Sequence, residues 1–156
     1  MLRILAVALL LAPSCLWAYQ NEPIGYAGHE WGTPFESMSE NMELVKESNI
    51  KIYRKQDDEL TFQGVKIAEQ VYAFHENKFA AVMMRSIGVV ESKALFKAFE
   101  AEYGFGKQPD IRRDLYFWPG GTTTITLSCN PNLDICLAIL NSTQLKQAVS
   151  EANAEK

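Results

Sequence analysis

Two cysteines on either side of a short turn constrain this chain more than any other feature. Residues 122–129 place hydroxyl side chains on one side of a strand and mostly apolar ones on the other, and residues 134–140 form a largely apolar strand beside it. Asn130-Pro131-Asn132-Leu133 between them has the composition of a turn. In antiparallel register about that connection Cys129 lies opposite Cys136, Leu127 opposite Ala138, and Ile125 opposite Leu140. All six side chains then share one face. In an exported chain such a pair persists in the oxidised form, so Cys129 and Cys136 are expected to form a disulfide. Two buried thiols or a metal-binding pair are the alternatives. The close spacing of thiol oxidoreductases is absent, which argues against a redox role. The other side of the first strand carries Thr122, Thr124, Thr126 and Ser128, and Ile135, Leu137 and Ile139 fall on that same hydroxyl side of its neighbour. If no helix covers it, this half-apolar face is open to a partner. Packing against a helix, or a threonine row that reflects β-propensity alone, is the plainer account.

Export is read from the first segment. Arg3 and the amino terminus precede an unbroken apolar run over residues 4–12. That run is too short to span a bilayer core, which takes about 20 helical residues. Pro13 and Ser14 break it, and Ala18 offers the small side chain required before a cleavage point. Residues 1–18 are therefore expected to be a secretory signal peptide, with the mature chain starting at Tyr19. A lipoprotein leader is the alternative: Ser14 precedes Cys15, whose lipidation would anchor the chain. Ala12 and Pro13 depart from the usual lipoprotein pattern.

The 156 residues include 15 basic and 19 acidic side chains, a net charge of −4 that becomes about −5 once Arg3 leaves with the leader. Basic residues cluster no further than the pairs Arg54-Lys55 and Arg112-Arg113, which argues against a nucleic-acid partner. No later apolar run approaches transmembrane length. The mature chain is long enough to build one core without help from metal or disulfide.

Residues 19–29, polar and containing Gly and Pro, are expected to be a flexible lead-in to a single α+β domain over residues 30–156. Thr33-Pro34-Phe35-Glu36 reads as a helix start, with Thr33 as cap, Pro34 in the first helical position and Glu36 as capping-box partner. Phe35, Met38, Met42 and Val45 would form its apolar stripe. The period then shortens. Ile50, Ile52, Leu60 and Phe62 suggest short strands around Gln56-Asp57-Asp58-Glu59, read as a solvated turn. Residues 65–75 form a strand candidate that turns at His75-Glu76-Asn77-Lys78 and returns over 79–87. A second helix over 93–103 buries Leu95, Phe96, Phe99 and Tyr103 and ends at Gly104. Leu115–Trp118 opens a second strand set that runs into the cysteine hairpin. Asn141 then caps a last helix with Leu145, Ala148, Val149 and Ala152 on one face. The expected fold class is α+β: an antiparallel sheet with helices on one face, two successive helix-plus-β-meander units and a C-terminal helix.

That element order, entered through Trp31-Gly32-Thr33-Pro34, resembles the small envelope proteins of the BamE/SmpA and β-lactamase-inhibitor type. It is similar also to short, uncharacterised exported bacterial proteins. Tyr72-Ala73-Phe74 on a strand, Tyr103-Gly104 at a helix end and the Trp118-Pro119-Gly120 turn carry the second likeness. The chain lacks the Gly-x-Pro that typically follows the BamE/SmpA helical pair. The resemblance implies an α+β module that works by binding another envelope protein, with no transferable active site.

Catalytic signatures are missing. His29 and His75 are each followed by glutamate, but a zinc protease needs a second histidine four residues on, and that position holds Thr33. There is no nucleophile elbow, no phosphate-cradling glycine loop and no haem attachment motif. The expected function is an exported, non-catalytic binding or assembly module of the cell envelope, with no metal, cofactor or catalytic residue assigned. The alternative is a small periplasmic hydrolase built around His29 or His75, joined in the fold by Glu30, Glu76, Asp57 or Asp58.

Overall fold

The computed structural model describes residues 19–147. The expected signal peptide, Cys15 and the helix positions Ala148, Val149 and Ala152 lie outside the described residues. The chain opens with a two-residue hairpin, β1 (Gly25–Tyr26) and β2 (His29–Glu30), and one 3-10 turn (Phe35–Ser37). β3 (Met42–Lys46) and β4 (Ile50–Lys55) follow, then a small hairpin of β5 (Thr61–Phe62) and β6 (Val65–Lys66). β7 (Glu69–His75) and β8 (Lys78–Ile87) lead into the helix α1 (Val89–Tyr103). β9 (Leu115–Trp118), β10 (Thr123–Asn130) and β11 (Ile135–Ser142) complete the order. Seven strands make one antiparallel sheet in the order β3-β4-β7-β8-β11-β10-β9. Among the described residues, no helix is long and apolar enough to cross a membrane.

The sheet closes where two hairpins meet edge to edge. β8 pairs with β11 from Ile135 opposite Ile87 to Asn141 opposite Ala81, and α1 with β9 and β10 forms the connection between them. α1 buries Ser92, Leu95, Phe99 and Tyr103, spaced so that one stripe faces the sheet. It ends at Gly104, whose φ of 77° and ψ of −171° suit glycine alone. Phe74, Phe79, Val82, Leu127, Ala138 and Leu140 fill the core beneath it. A bulge between Ala73 and Phe74, where Ala80 is the extra residue opposite, lets both Phe79 and Val82 point inward.

The structure corrects the expected fold class. The chain is mostly β with one long helix, so the α+β arrangement of two helix-plus-β-meander units does not describe it. The first expected helix is the main difference. Only Phe35–Ser37 turn, in 3-10 form, and Asn41 at φ 59° then redirects the chain into β3. Thr33 does not cap that turn; its hydroxyl donates back to the Glu30 carbonyl at 2.8 Å. Aromatic packing decides the conformation. Phe35 stacks on Tyr53 at 4.4 Å and meets Phe74 edge-on at 5.1 Å, while Val45, the last position of the supposed stripe, is exposed. At the other end β11 continues through Asn141 to Ser142, and residues 143–147 then turn helical, with the Ser142 hydroxyl rather than Asn141 accepting the Leu145 N–H.

Candidate functional site

Register sorts the sheet's side chains into two faces, because residues directly opposite on neighbouring strands point the same way. One face packs under α1. The other carries Ile52, Val71, Ala73, Ala81, Met83 and Ile139 across β4, β7, β8 and β11. Val71, Ala73 and Ala81 are shielded by their neighbours in the sheet, yet none belongs to the core cluster. Toward the β10–β11 turn the apolar surface runs on through Leu137, which is 37% exposed, to Ile135 and Ile87, the latter 50% exposed. Thr126 and Phe117 extend its central row to the β9 edge. α1 and the aromatic contacts of the N-terminal segment lie on the other face, while at this one Thr124 is buried and its hydroxyl meets that of Thr143 at 3.3 Å.

Charge enters this face at a triad on β4, β7 and β8, and again at Lys78, opposite His75 where β7 turns into β8. Glu69 on β7 receives Arg54 of β4 at 2.7 Å and Arg85 of β8 at 2.9 Å. All three are partly exposed, so the pairs add little stability. Two guanidiniums on one carboxylate leave the group with a net charge of +1. What the arrangement offers chemically is a mostly apolar surface with a hydroxyl strip along β10 and a net positive charge at the triad.

The cysteine hairpin adopts the register expected of it. Cys129 lies opposite Cys136, Leu127 opposite Ala138 and Ile125 opposite Leu140, and the disulfide is formed with a Cα–Cα distance of 4.0 Å. The Cys129 N–H donates outward to the Asp114 carbonyl at 2.7 Å. The two cysteines therefore sit at a non-hydrogen-bonded position, where antiparallel side chains come closest. Beside them α1 leaves a groove of about 430 Å³ over Phe96, Tyr116 and the disulfide, with Lys93 and Lys97 on its helical wall. Burial raises the Tyr116 hydroxyl above its ordinary range, with Asp114 and Glu100 adding to the effect. The Ser92 hydroxyl on the groove's wall is engaged by the Ser86 hydroxyl and the Asp134 carbonyl, each at 3.0 Å.

No family model, curated protein or solved structure matches this chain. The motifs behind the envelope-protein resemblance instead show what they do within this fold. The Trp31 indole donates to Thr123 Oγ1 at 2.6 Å, and that hydroxyl donates to the Pro23 carbonyl. Glu22 accepts the backbone N–H groups of Thr122 and Thr123 at 2.6 and 2.8 Å, and the Tyr19 hydroxyl donates to the Thr123 carbonyl at 2.9 Å. The lead-in is thus strapped onto the start of β10. The Trp118 indole donates to the Gly104 carbonyl at 2.9 Å, joining the helix end to the turn. These are anchoring contacts.

The histidines are not brought into one site by any metal-type cluster. His29 lies in the first hairpin opposite Tyr26, and His75 ends β7 opposite Lys78. A shallow hollow of about 470 Å³ at His75 includes a single carboxylate, Glu76, beside Lys51, Asn49 and Asn77. Among the described residues, no three His, Cys, Asp or Glu side chains converge on a point that could hold a metal.

Asp58 is a feature the sequence reading misplaced in a solvated turn. One of its oxygens accepts both Gln70 Nε2 at 2.6 Å and the Tyr72 hydroxyl at 2.8 Å. Gln70 Oε1 accepts the Tyr26 hydroxyl at 2.7 Å, closing a chain of four polar side chains against the core. Burial and then the Asp58 charge push the Tyr26 hydroxyl up to about 12. A glutamine two residues before a tyrosine on a strand's core face was the available signal, since a buried amide must find partners.

Proposed function

We propose that this protein is an exported, non-catalytic binding or assembly module of the cell envelope, and that it docks through the uncovered face of its sheet. The observation that carries the reading is that face: apolar side chains on four adjacent strands, bordered by the Arg54–Glu69–Arg85 group, with α1 on the far side. Contiguous apolar surface of this extent on a soluble fold usually marks an interaction site. Two further observations support export. The leader over residues 1–18 has the signal-peptide pattern, and the formed disulfide suits an oxidising compartment.

The proposal is tested by purifying the exported protein from envelope extracts in two forms, unaltered and with Ile139→Lys. Partners retained by the unaltered chain and lost from the variant support it. Identical recovery from both would refute docking through this face. Mass spectrometry of the same material should find Tyr19 as the first residue; a retained Met1 would refute cleaved export, and a lipidated Cys15 would replace it with anchoring. The hydrolase alternative requires a histidine in a deep polar pocket with two carboxylates, and among the described residues no observation of that kind favours it.

A further inference from the structure

A hollow of about 270 Å³ lies where the chain leaving β4 passes the chain entering β7, and Arg54, Lys55, Asp58, Glu69 and Arg85 are its charged lining. Ligand pockets run from about 300 to 1,000 Å³, so this one suits a single compact group. Three cations face two carboxylates across it, a net charge of +1. Glu43 lies opposite Arg54 on β3 but does not line the hollow. Both carboxylates are engaged. Asp58 spends one oxygen on Gln70 and Tyr72, and Glu69 gives one oxygen to each arginine. Lys55 forms no ion pair among the described residues.

The arginine forks are used unequally. A guanidinium holds a carboxylate best through two parallel N–H groups. Arg112 does so with Asp110, donating from Nε at 3.1 Å and from Nη2 at 3.4 Å. Arg85 does not. Its Nη2 reaches Glu69 at 2.9 Å, but its Nε is buried with no hydrogen-bond partner. Glu69 has no second oxygen to offer, because Arg54 Nη2 holds the other at 2.7 Å. A buried donor without a partner is a standing cost. The Arg85 side chain is 42% exposed, so its outer end has room to turn.

We infer that this hollow binds a singly charged carboxylate, gripped side-on by the Nε–Nη2 edge of Arg85. Turning that edge into the hollow gives the orphaned Nε an acceptor, while Glu69 keeps Arg54. One negative charge cancels the net +1 of the lining; a dianion would overshoot it, and a cation would meet three positive side chains. The ligand is a free small acid or the carboxylate that ends a peptide chain, which share this chemistry. The site does not depend on the docking role proposed above, nor on what meets the sheet face.

The arginine Nε–H resonances of the exported chain read the binding directly. Sodium acetate, added at ionic strength held constant with sodium chloride, should shift the Arg85 signal saturably while Arg112 stays in place. Half-saturation should be of the order of millimolar for so small a ligand. Arg85→Lys keeps the charge and loses the fork, so binding read at the Arg54 signal should weaken about tenfold or more with unchanged dichroism. Trialanine binding more tightly than acetate, with its C-terminal amide silent, assigns the site to chain ends; equal binding of the two acids assigns it to free small acids. A shift still linear at about 100 mM acetate, an equal shift at Arg112, or full binding by Arg85→Lys would mean an adventitious ion only, and would overturn the inference.

Discussion

Removing the Asp58 carboxylate is the most informative single change to the folded domain. A single Asp58 oxygen accepts from Gln70 Nε2 at 2.6 Å and from the Tyr72 hydroxyl at 2.8 Å, and both donors belong to residues only 2% exposed. After Asp58→Ala the amide keeps one acceptor, because Gln70 Nε2 also reaches the Tyr72 oxygen at 2.7 Å. The tyrosine hydroxyl keeps none. An orphaned buried donor costs about 1–3 kcal/mol, and the lost bond to a charged acceptor adds about 1.5 kcal/mol. Recovering the hydration cost of a partly buried carboxylate offsets part of this. The net expectation is a loss of about 3 kcal/mol.

Urea unfolding reads this as a lower midpoint at unchanged slope. Three comparison variants test the mechanism. Asp58→Asn keeps an acceptor oxygen in place and should recover about half of the loss. Tyr72→Phe removes the donor together with its need, so it should cost less than Asp58→Ala. In the double variant the two losses should fall short of their sum by about 1 kcal/mol or more, the signature of a shared bond. Asp58→Ala within about 0.5 kcal/mol of the parent would show a solvated turn after all. Equal losses for Ala and Asn would show that acceptance by that oxygen is not what matters.

Three other outcomes are expected. Replacing Cys129 and Cys136 together by alanine opens a bond of sequence separation 7, for which loop entropy gives about 2.5 kcal/mol and a melting temperature lower by about 5–10 °C; the transition should remain cooperative, and calorimetry showing no shift would refute the account. Tyr26 is held neutral in the fold up to about 12, mainly by burial, and Tyr72 and Tyr103 are raised in the same direction and for the same first cause. A raised folded-state value means stability is complete below the ordinary tyrosine value of about 10 and declines as pH rises beyond it; melting curves from pH 9 to 12 should show that decline, and spectrophotometric titration of all tyrosines near 10 in the folded protein would contradict it. Gly104→Ala should cost about 1–3 kcal/mol through backbone strain alone, since the nearest atom to an added Cβ is 3.8 Å away; Gly121→Ala, with nothing within 4 Å, is the control that should leave the urea midpoint unchanged.

How far the sequence discloses this fold depends on how local each determinant is. The cysteine hairpin was legible to the residue, because a period of two with apolar Ile125, Leu127 and Ala138 on one side allows a single register. α1 was legible from Leu95, Phe99, Tyr103 and the glycine that ends it. Residues 35–45 were not, because Phe35, Met38 and Met42 mimic helical spacing while answering to partners elsewhere in the chain. Phe35 is held by Tyr53 and Phe74, and β3 forms because β4 lies ready to pair with it. Asp58 was misread for the same reason: its acceptor role is defined by Gln70 and Tyr72, more than ten positions away.

The uncovered face shows the boundary most clearly. Its threonine strip on β10 and the isoleucines of β11 were visible as alternation, and so were Val71 and Ala73 on β7. Each hairpin alone presents only a narrow half-apolar ribbon, of the kind many small sheets expose. The ribbons become one surface because β11 pairs with β8, setting Ile139 beside Met83 and Leu137 beside Arg85 across more than fifty residues of chain. No local pattern encodes that pairing. It follows from α1 carrying the chain over the core side and returning it antiparallel to β8, which leaves both hairpins' outer faces on the side the helix does not reach. A surface wide enough to bind another protein is therefore a property of the topology, assembled from ribbons that are individually too narrow to do so.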